Sequence, residues 1–337
     1  MIESKESILF SFYDFGVQVI SSDQHTLDAT RRDFSFFISR SIRPAVSIEI
    51  FPEAYDYRSL PSIKPSLHSP RNFCYRQGNL LYVDYFGKGL SIIDEEKKEH
   101  KVYSVDSHLR HEIVFLTILS LVGEYFDAHR MHRVHGLGLE INGRGVLILM
   151  PQGGGKTTLM LELLKQKGVK LISEDTPLIN AKGDILPFPI RIGIDASKQK
   201  PDFPDADLQL IRRMEFGPKY LLDVEYFKGR LVDYRCKPAF IFKGVRCLGD
   251  KPRIAPASKL QILDVFIANT VVGLGVYQGI EFLIKRSPLE LLKKVGVAAS
   301  RFQASLSVIA RAKAYTFFTG FNIKKNSETL LDFITKN

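Results

Sequence analysis

Cysteine is scarce in this chain: Cys74, Cys236 and Cys247 are well separated among 337 residues. Three such residues build no disulfide framework and no metal-spaced pair, and they point to a reducing compartment. Long apolar runs are missing too, since the most apolar helix-like stretch, Ile113 to Gly123, is too short to span a bilayer. The N-terminal MIESKESILFSFYDF carries acids where a secretory leader carries mainly bases, and it has no long apolar centre. These absences lead us to expect a soluble cytoplasmic protein with no membrane partner. Internal repeats, low-complexity tracts, zinc-finger spacings and aromatic-interleaved basic motifs are also lacking, so nucleic acid is not an expected partner.

The bulk composition is that of an ordinary folded chain. Hydrophobic residues make up 45% and charged residues 25%, which excludes disorder and collagen-like repeats. The length suits one large domain or two ordinary ones, with enough chain to bury a core unaided. Charge is divided unevenly. Residues 1–125 hold 14 Lys/Arg against 17 Asp/Glu, whereas residues 126–337 hold 33 against 20, for a total of +10. A basic C-terminal part suits a phosphate-bearing ligand, and a merely solvated basic surface explains it equally well.

The first hundred residues read as strands. Ile8–Ile20, Ala45–Phe51, Phe73–Arg76, Leu80–Phe86 and Leu90–Ile93 are rich in β-branched and aromatic residues, with turn signals such as Gln77-Gly78-Asn79 between them. A proline- and serine-rich surface loop is expected between Pro52 and Pro70. At Ser107, a candidate N-cap, the pattern turns helical, with apolar residues at Ile113, Leu116, Leu119, Leu121 and Phe126. The expected division is a β-rich module over 1–106 and a second domain over 107–337, entered through a linking helix at 107–130. Further on, Leu186–Ile194, Tyr220–Val224, Ala239–Phe242 and Tyr315–Phe318 read as strands. Asp202–Arg213, Ser258–Ala268, Leu289–Ala299 and Asn326–Thr335 read as helices, the last capped by Asn326 or Ser327.

Chemistry is concentrated between His135 and Ile179. Gly145–Met150 is a uniformly apolar run, as a parallel strand buried on both faces would be. It leads into Pro151-Gln152-Gly153-Gly154-Gly155-Lys156-Thr157-Thr158, then a leucine-rich helix ended by Gly168, then a second strand, Val169–Ile172. A glycine-rich turn at a helix N-terminus supplies amide donors and positive potential for a phosphate chain. Gly153, Gly154 and Gly155 fit that role, with Lys156 reaching the β- and γ-phosphates, Thr157 ligating Mg²⁺ and Thr158 capping or packing. The usual G-x-x-x-x-G-K-[ST] pattern has glycine where this chain has Met150. The plain alternative is an ordinary strand-to-helix turn with a solvated lysine.

Glu174 and Asp175 come directly after the second strand. If the two strands run parallel, their C-terminal ends share one edge, which places this pair beside the loop. Carboxylates there can hold Mg²⁺ or accept a proton from an attacking hydroxyl, or one of them can simply cap the turn at Thr176-Pro177. His135 lies just upstream of the first strand, and a lone histidine is more often structural. His129 and His132 sit on a polar helix end and read as solvated.

Residues 134–179, VHGLGLEINGRGVLILMPQGGGKTTLMLELLKQKGVKLISEDTPLI, resemble the catalytic core of the HPr kinase/phosphorylase family and its divergent relatives. In that family a histidine-glycine or histidine-alanine pair precedes the strand, and the phosphate loop, helix and a short strand ending in two acids come after it. The resemblance implies an α/β fold of the phosphoenolpyruvate carboxykinase type containing the P-loop, behind the N-terminal β-rich module. It implies ATP on Gly153–Thr157, Mg²⁺ at Thr157 and Asp175, Glu174 as general base where the family usually has aspartate, and His135 near the phosphates. Phe188-Pro189-Ile190-Arg191-Ile192-Gly193 is similar to a segment that comes after the acids in relatives, making Arg191 a phosphate or substrate candidate, with Lys219 a weaker one. No glycine-arginine-asparagine loop is found beyond the core, so HPr itself and the phosphorylase reaction are not expected.

Two classes of function are compatible with these residues. The first is an ATP- and Mg²⁺-dependent kinase transferring the γ-phosphate to a hydroxyl of a serine-bearing peptide or protein, or of a small alcohol. The second is a non-catalytic nucleotide-responsive switch or scaffold that binds a partner through the N-terminal module. A decarboxylating carboxykinase would need further metal- and carboxylate-binding residues, and a nucleic-acid ATPase usually places its metal-binding acid further from the loop. A homo-oligomer is left open.

Overall fold

The computed structural model describes residues 5–151, 153–197, 200–212, 217–271 and 288–337. It is mixed α/β with several sheets, and its contacts divide the chain into two units. One comprises residues up to 122 and the described residues of 193–226. The other comprises 123–192 and the described residues of 227–277 and 286–337. Among the described residues no helix is long and apolar enough to cross a membrane.

The first unit is built on an eight-stranded sheet. Its strands are β1 (Glu6–Phe12), β2 (Phe15–Ser21), β3 (Val46–Phe51), β4 (Leu67–His68), β5 (Phe73–Gln77), β6 (Leu80–Asp84), β7 (Leu90–Asp94) and β8 (Glu99–Tyr103). Their spatial order is β1-β2-β3-β8-β7-β6-β5-β4. Between β2 and β3, which run parallel, the chain forms helix α1 (Gln24–Asp33). Neither α1 nor β8 is evident from the sequence pattern. The core is aromatic, with Phe10, Phe12, Phe34 and Phe37 packed ring against ring. A buried His111–Asp33 contact at 2.7 Å and a half-buried ion pair between Arg110 and Asp23, the N-cap residue of α1, join α1 to the long helix α2 (Ser107–Ala128). The cap of α2 is Asp106 rather than Ser107, since its carboxylate accepts from the amides of His108 and Leu109.

The second unit carries the glycine-rich segment. Its main strands are β10 (Leu137–Ile141), β11 (Arg144–Leu149), β12 (Val169–Ser173), β18 (Pro238–Arg246), β19 (Arg253–Pro256) and β20 (Lys313–Thr319). The sheet order is β12-β10-β11-β18-β20-β19. A small sheet of the same unit holds β9 (Met131–Arg133), β13 (Leu178–Asn180) and β14 (Ile185–Leu186), while β15 (Ile192–Asp195), β16 (Leu208–Ile211) and β17 (Lys219–Leu222) form another sheet, which from Gly193 on belongs to the first unit. Helix α3 (Lys156–Leu163) leaves the end of β11, and α4 (Lys259–Phe266) comes after β19, opened by a Ser258–Gln261 capping box and continued as a π-turn over Ile267–Val271.

Strand direction matters more than adjacency here. β10 is antiparallel to both β11 and β12, so β11 and β12 run the same way although β10 separates them. β18 and β20 are parallel to β11. Four C-terminal strand ends therefore share one edge, the edge on which α/β sheets bind ligands.

Several local expectations change. Asp202–Arg213 is not a helix: it holds one turn at Asp205–Asp207 and then β16, which pairs antiparallel with β17, while Arg213 lies outside the described residues. The expected strand Leu186–Ile194 is broken into β14 and β15, because Pro187 and Pro189 lack the amide a ladder needs. The last helix runs Ile323–Lys336 and is capped by Asn322. Asn326 instead bridges Gly320, donating to its carbonyl and accepting from its amide, both at 2.9 Å.

His132 is also not solvated. It is fully buried, with Nδ1 2.9 Å from Asp127 and Nε2 2.8 Å from Ser300. Asp127 accepts as well from Arg301, at 2.6 and 3.1 Å. This Asp–His–Ser chain clasps the helix Pro288–Arg311 to β9; with no exposed imidazole and a carboxylate neutralised by Arg301, it is a fastening rather than a nucleophile. His129, as expected, is exposed.

Candidate functional site

Leu149 closes β11, and the chain turns through residues 150–155 into α3. Gly153 and Gly155 have φ of +74° and +96°, conformations that side-chain-bearing residues rarely adopt. A Cβ built on either would meet nothing within 4 Å, so the turn faces open space at the N-terminus of α3. Gln152 lies outside the described residues.

Met150 departs from the glycine of the usual pattern, and its packing shows why this is tolerated. Its φ is not positive, so no glycine is required there. Its side chain is buried, 2% exposed, and turns into the sheet over Gly244 of β18. A Cβ on Gly244 would lie 2.1 Å from Met150 Cγ. The methionine fills the space that this glycine on the neighbouring strand leaves free, and the open face of the loop is unaffected.

Lys156 opens α3 and is buried. Its ammonium donates to the Met150 carbonyl at 2.9 Å and to that of Pro151 at 3.5 Å, and lies 3.0 Å from His135 Nε2. An ammonium only donates, so His135 Nε2 must accept and the ring proton sits on Nδ1. That proton faces Asp175, whose Oδ1 is 3.2 Å away but off hydrogen-bond geometry. Carboxylate, imidazole and ammonium thus form one row. Thr157 donates from Oγ1 to Glu174 Oε1.

The backbone holds these groups in place. The His135 amide donates to the Asn269 carbonyl on the π-turn at 3.0 Å, and the Gly136 amide to the Asp175 carbonyl at 3.0 Å. His135, the loop residues Lys156 and Thr157, and the acids Glu174 and Asp175 come from three separate segments and meet at one sheet edge. Thr158 is exposed on α3 and neither caps nor packs. Arg191 is half-buried just before β15, and Lys219 begins β17 in the first unit.

A nucleoside triphosphate with Mg²⁺ needs amide donors, a cation and hard oxygen ligands. The turn at Gly153–Gly155, Lys156, and the oxygens of Thr157, Glu174 and Asp175 have that chemistry. Among the described residues no cluster of three or more His, Cys, Asp or Glu could hold a metal alone. The oxygens of Thr157, Glu174 and Asp175 are hard ligands of the kind Mg²⁺ takes, alongside water and phosphate oxygens.

Sequence reasoning missed what lies on the other side of the loop. A cavity of about 440 Å³ opens between β11, β18 and α4, with His135, Met150 and Pro151 at one end and Lys243, Asp264 and Asn269 on its walls. No motif marks these last three, because they come from elements that meet only in the fold.

No protein-family model matches the chain, and no curated protein matches it. Among solved structures, the HPr(Ser) kinase/phosphatase from Coxiella burnetii is 13% identical, with 60% of this chain and 97% of that chain covered at a TM-score of 0.25. A likeness this slight carries none of the site's chemistry, which rests on the residues themselves.

Proposed function

We propose that this protein is an HPr kinase-like phosphotransferase that moves the γ-phosphate of ATP, as its Mg²⁺ complex, to a hydroxyl of a peptide, a protein or a small molecule. One observation carries the reading: Lys156, Thr157, His135, Glu174 and Asp175 meet at the end of a buried strand beside an open glycine turn. Phosphoryl transfer asks for positioning and charge neutralisation more than for covalent catalysis, and this set offers both.

Lys156 exchanges the Met150 and Pro151 carbonyls for β- and γ-phosphate oxygens. The amides of Gly153–Gly155 hold the phosphate chain. Thr157 and Asp175 would hold Mg²⁺, which would supply positive charge to neutralise that of the phosphates. Glu174, which accepts from the Thr157 hydroxyl, is the carboxylate that takes the proton of the attacking hydroxyl. His135, between Lys156 and Asp175, spaces the cation from the carboxylate so that neither quenches the other.

The test is calorimetric titration of wild type and Lys156→Ala with ATP–Mg²⁺ and with tripolyphosphate, then labelled-phosphate transfer. Lys156→Ala should lose nucleotide binding, and turnover should fall on the order of 10²-fold or more. A variant as active as wild type would remove the proposal. A second reading, the nucleotide-responsive switch, is favoured by the hold of Lys156 on the loop carbonyls. A switch binds nucleotide and leaves no phosphorylated product.

A further inference from the structure

We infer that the cavity beside the loop is the acceptor site, and that it takes a hydroxyl-bearing amino acid in its zwitterionic form. The inference rests on the phosphotransferase reading above and names the substrate class of that site. Its first ground is position. The loop residues that line the cavity are the first two, Met150 and Pro151, together with His135. Lys156, whose ammonium marks where the β- and γ-phosphates are gripped, lies against those same three residues, 3.0 Å from His135 Nε2 and 2.9 Å from the Met150 carbonyl. Among the described residues, Gly153–Gly155 and helix α3, along which the rest of a nucleotide would run, do not line it. The cavity thus opens at the transferred phosphoryl group, with Asp175 3.2 Å behind the imidazole.

The second ground is chemistry. The floor is apolar, formed by Leu149 and Met150 facing Val265 and Ala268. On it stand two opposite charges, the Lys243 ammonium from β18 and the Asp264 carboxylate from α4. They make no ion pair with each other, which puts them more than 4.0 Å apart, and neither has a side-chain partner among the described residues. Lys243 is half-buried and Asp264 is exposed at the rim, so both charges are open to a ligand that enters the cavity. A ligand that satisfies both carries a carboxylate for Lys243 and an ammonium for Asp264, with an aliphatic stem between the apolar walls. Asn269 adds an amide beside them, its NH₂ already donating to the Val265 carbonyl at 2.7 Å. The acceptor's hydroxyl then points toward His135 and the loop.

The step balances with a nucleoside triphosphate as phosphoryl donor. A bond forms between the acceptor oxygen and γ-phosphorus. The bond from that phosphorus to the β–γ bridging oxygen breaks, its electron pair leaving with the diphosphate, and the hydroxyl proton passes to Glu174.

The probes are L-serine, L-threonine, L-homoserine and 4-hydroxyproline, set against ethanolamine, glycolate and glycerol, which keep a hydroxyl but lose one or both charges. ATP consumption by the full-length protein and label in the product are read. At least one amino acid should be phosphorylated and the singly charged and uncharged probes should not. Lys243→Ala and Asp264→Ala should each raise the amino acid KM by about tenfold to a hundredfold, leaving ATP–Mg²⁺ affinity by calorimetry unchanged, with Lys243→Arg recovering part of the loss. If ATP binds and no amino acid is phosphorylated, the acceptor assignment falls and the phosphate-loop reading stands. If the two variants weaken ATP binding instead, the cavity houses the nucleoside and the assignment falls. If wild type binds neither ATP nor tripolyphosphate, both fall together.

Discussion

Giving position 150 the glycine of the usual phosphate-loop pattern should harm this protein rather than help it. Met150 is 2% exposed, so Met150→Gly removes a fully packed side chain. Core Met-to-Ala truncations cost about 2–5 kcal/mol, and glycine adds roughly 0.5–1 kcal/mol through backbone entropy. Gly244→Ala alone should also destabilise, since its new Cβ would stand 2.1 Å from Met150 Cγ and 2.8 Å from Sδ, an overpacking worth about 1–3 kcal/mol. In the double variant that Cβ enters space the methionine has vacated. The pair should therefore be less destabilised than the sum of the singles, with a coupling on the order of 1–3 kcal/mol. Scanning calorimetry is the assay, because the chain has no tryptophan to report unfolding. Each kcal/mol should move the transition of a unit this size by roughly 2–4 °C. Strict additivity, or a Met150→Gly protein as stable as wild type, would refute the packing argument.

Burial chiefly, with Glu140 beside it, pushes the Cys236 thiol up to about 12, so at pH 8 it is neither a thiolate nor accessible. Native alkylation with mass mapping should label Cys247, which is half-buried, well before Cys236 and the buried Cys74, and rapid labelling of Cys236 would contradict this. His100 on β8 is pushed down to about 4, first by burial and then by Lys98, with Glu95 opposing. Its unfolded form binds a proton near 6.5, so between pH 6.5 and 4 the unfolded chain holds more protons and stability falls as pH falls. A nuclear magnetic resonance titration should find this imidazole neutral at pH 5, and His100→Gln should flatten that part of the stability profile; a ring titrating near 6.5 would overturn the assignment.

The loop and its flanking elements were readable because their signals are local. A run of apolar residues, three glycines, a lysine and a leucine-rich helix lie within about two dozen residues, and positive φ at Gly153 and Gly155 is what that glycine content requires. Helix α1 was hidden because it carries few apolar residues and is anchored by tertiary polar contacts instead, Asp33 with His111 and its N-cap Asp23 with Arg110. The burial of His132 depends on Asp127, Ser300 and Arg301, two of which lie more than 160 positions away. Met150 looked like a defect because its complement, Gly244, is on another strand. Lys243 and Asp264 were unmarked for the same reason: β18 and α4 bring them to one cavity only in the fold.

The placement of the acids shows how little adjacency has to do with the site. Lys156 and Glu174 are 18 positions apart, and a simple β–loop–α–β unit would set their strands side by side. Here β10 intervenes, antiparallel to both, and keeps their directions aligned. That arrangement widens the edge by one strand, so something must turn the acids back toward the loop. The β10–β12 register supplies it. Gly138 pairs with Ser173 and Leu139 with Leu171, which leaves Ile172 as an extra residue in β12, just before the acids. Such an irregularity bends a strand and re-aims the residues beyond it. Ser173 then fastens the bend, donating to the Phe188 carbonyl at 2.8 Å and accepting from the Thr176 amide. Asp175 is drawn back until its carbonyl meets the Gly136 amide, which seats its carboxylate beside His135. The row from Asp175 through His135 to Lys156 is thus made by a strand irregularity and two hydrogen bonds, and β10 is part of the site's construction although none of its own residues is a catalytic candidate.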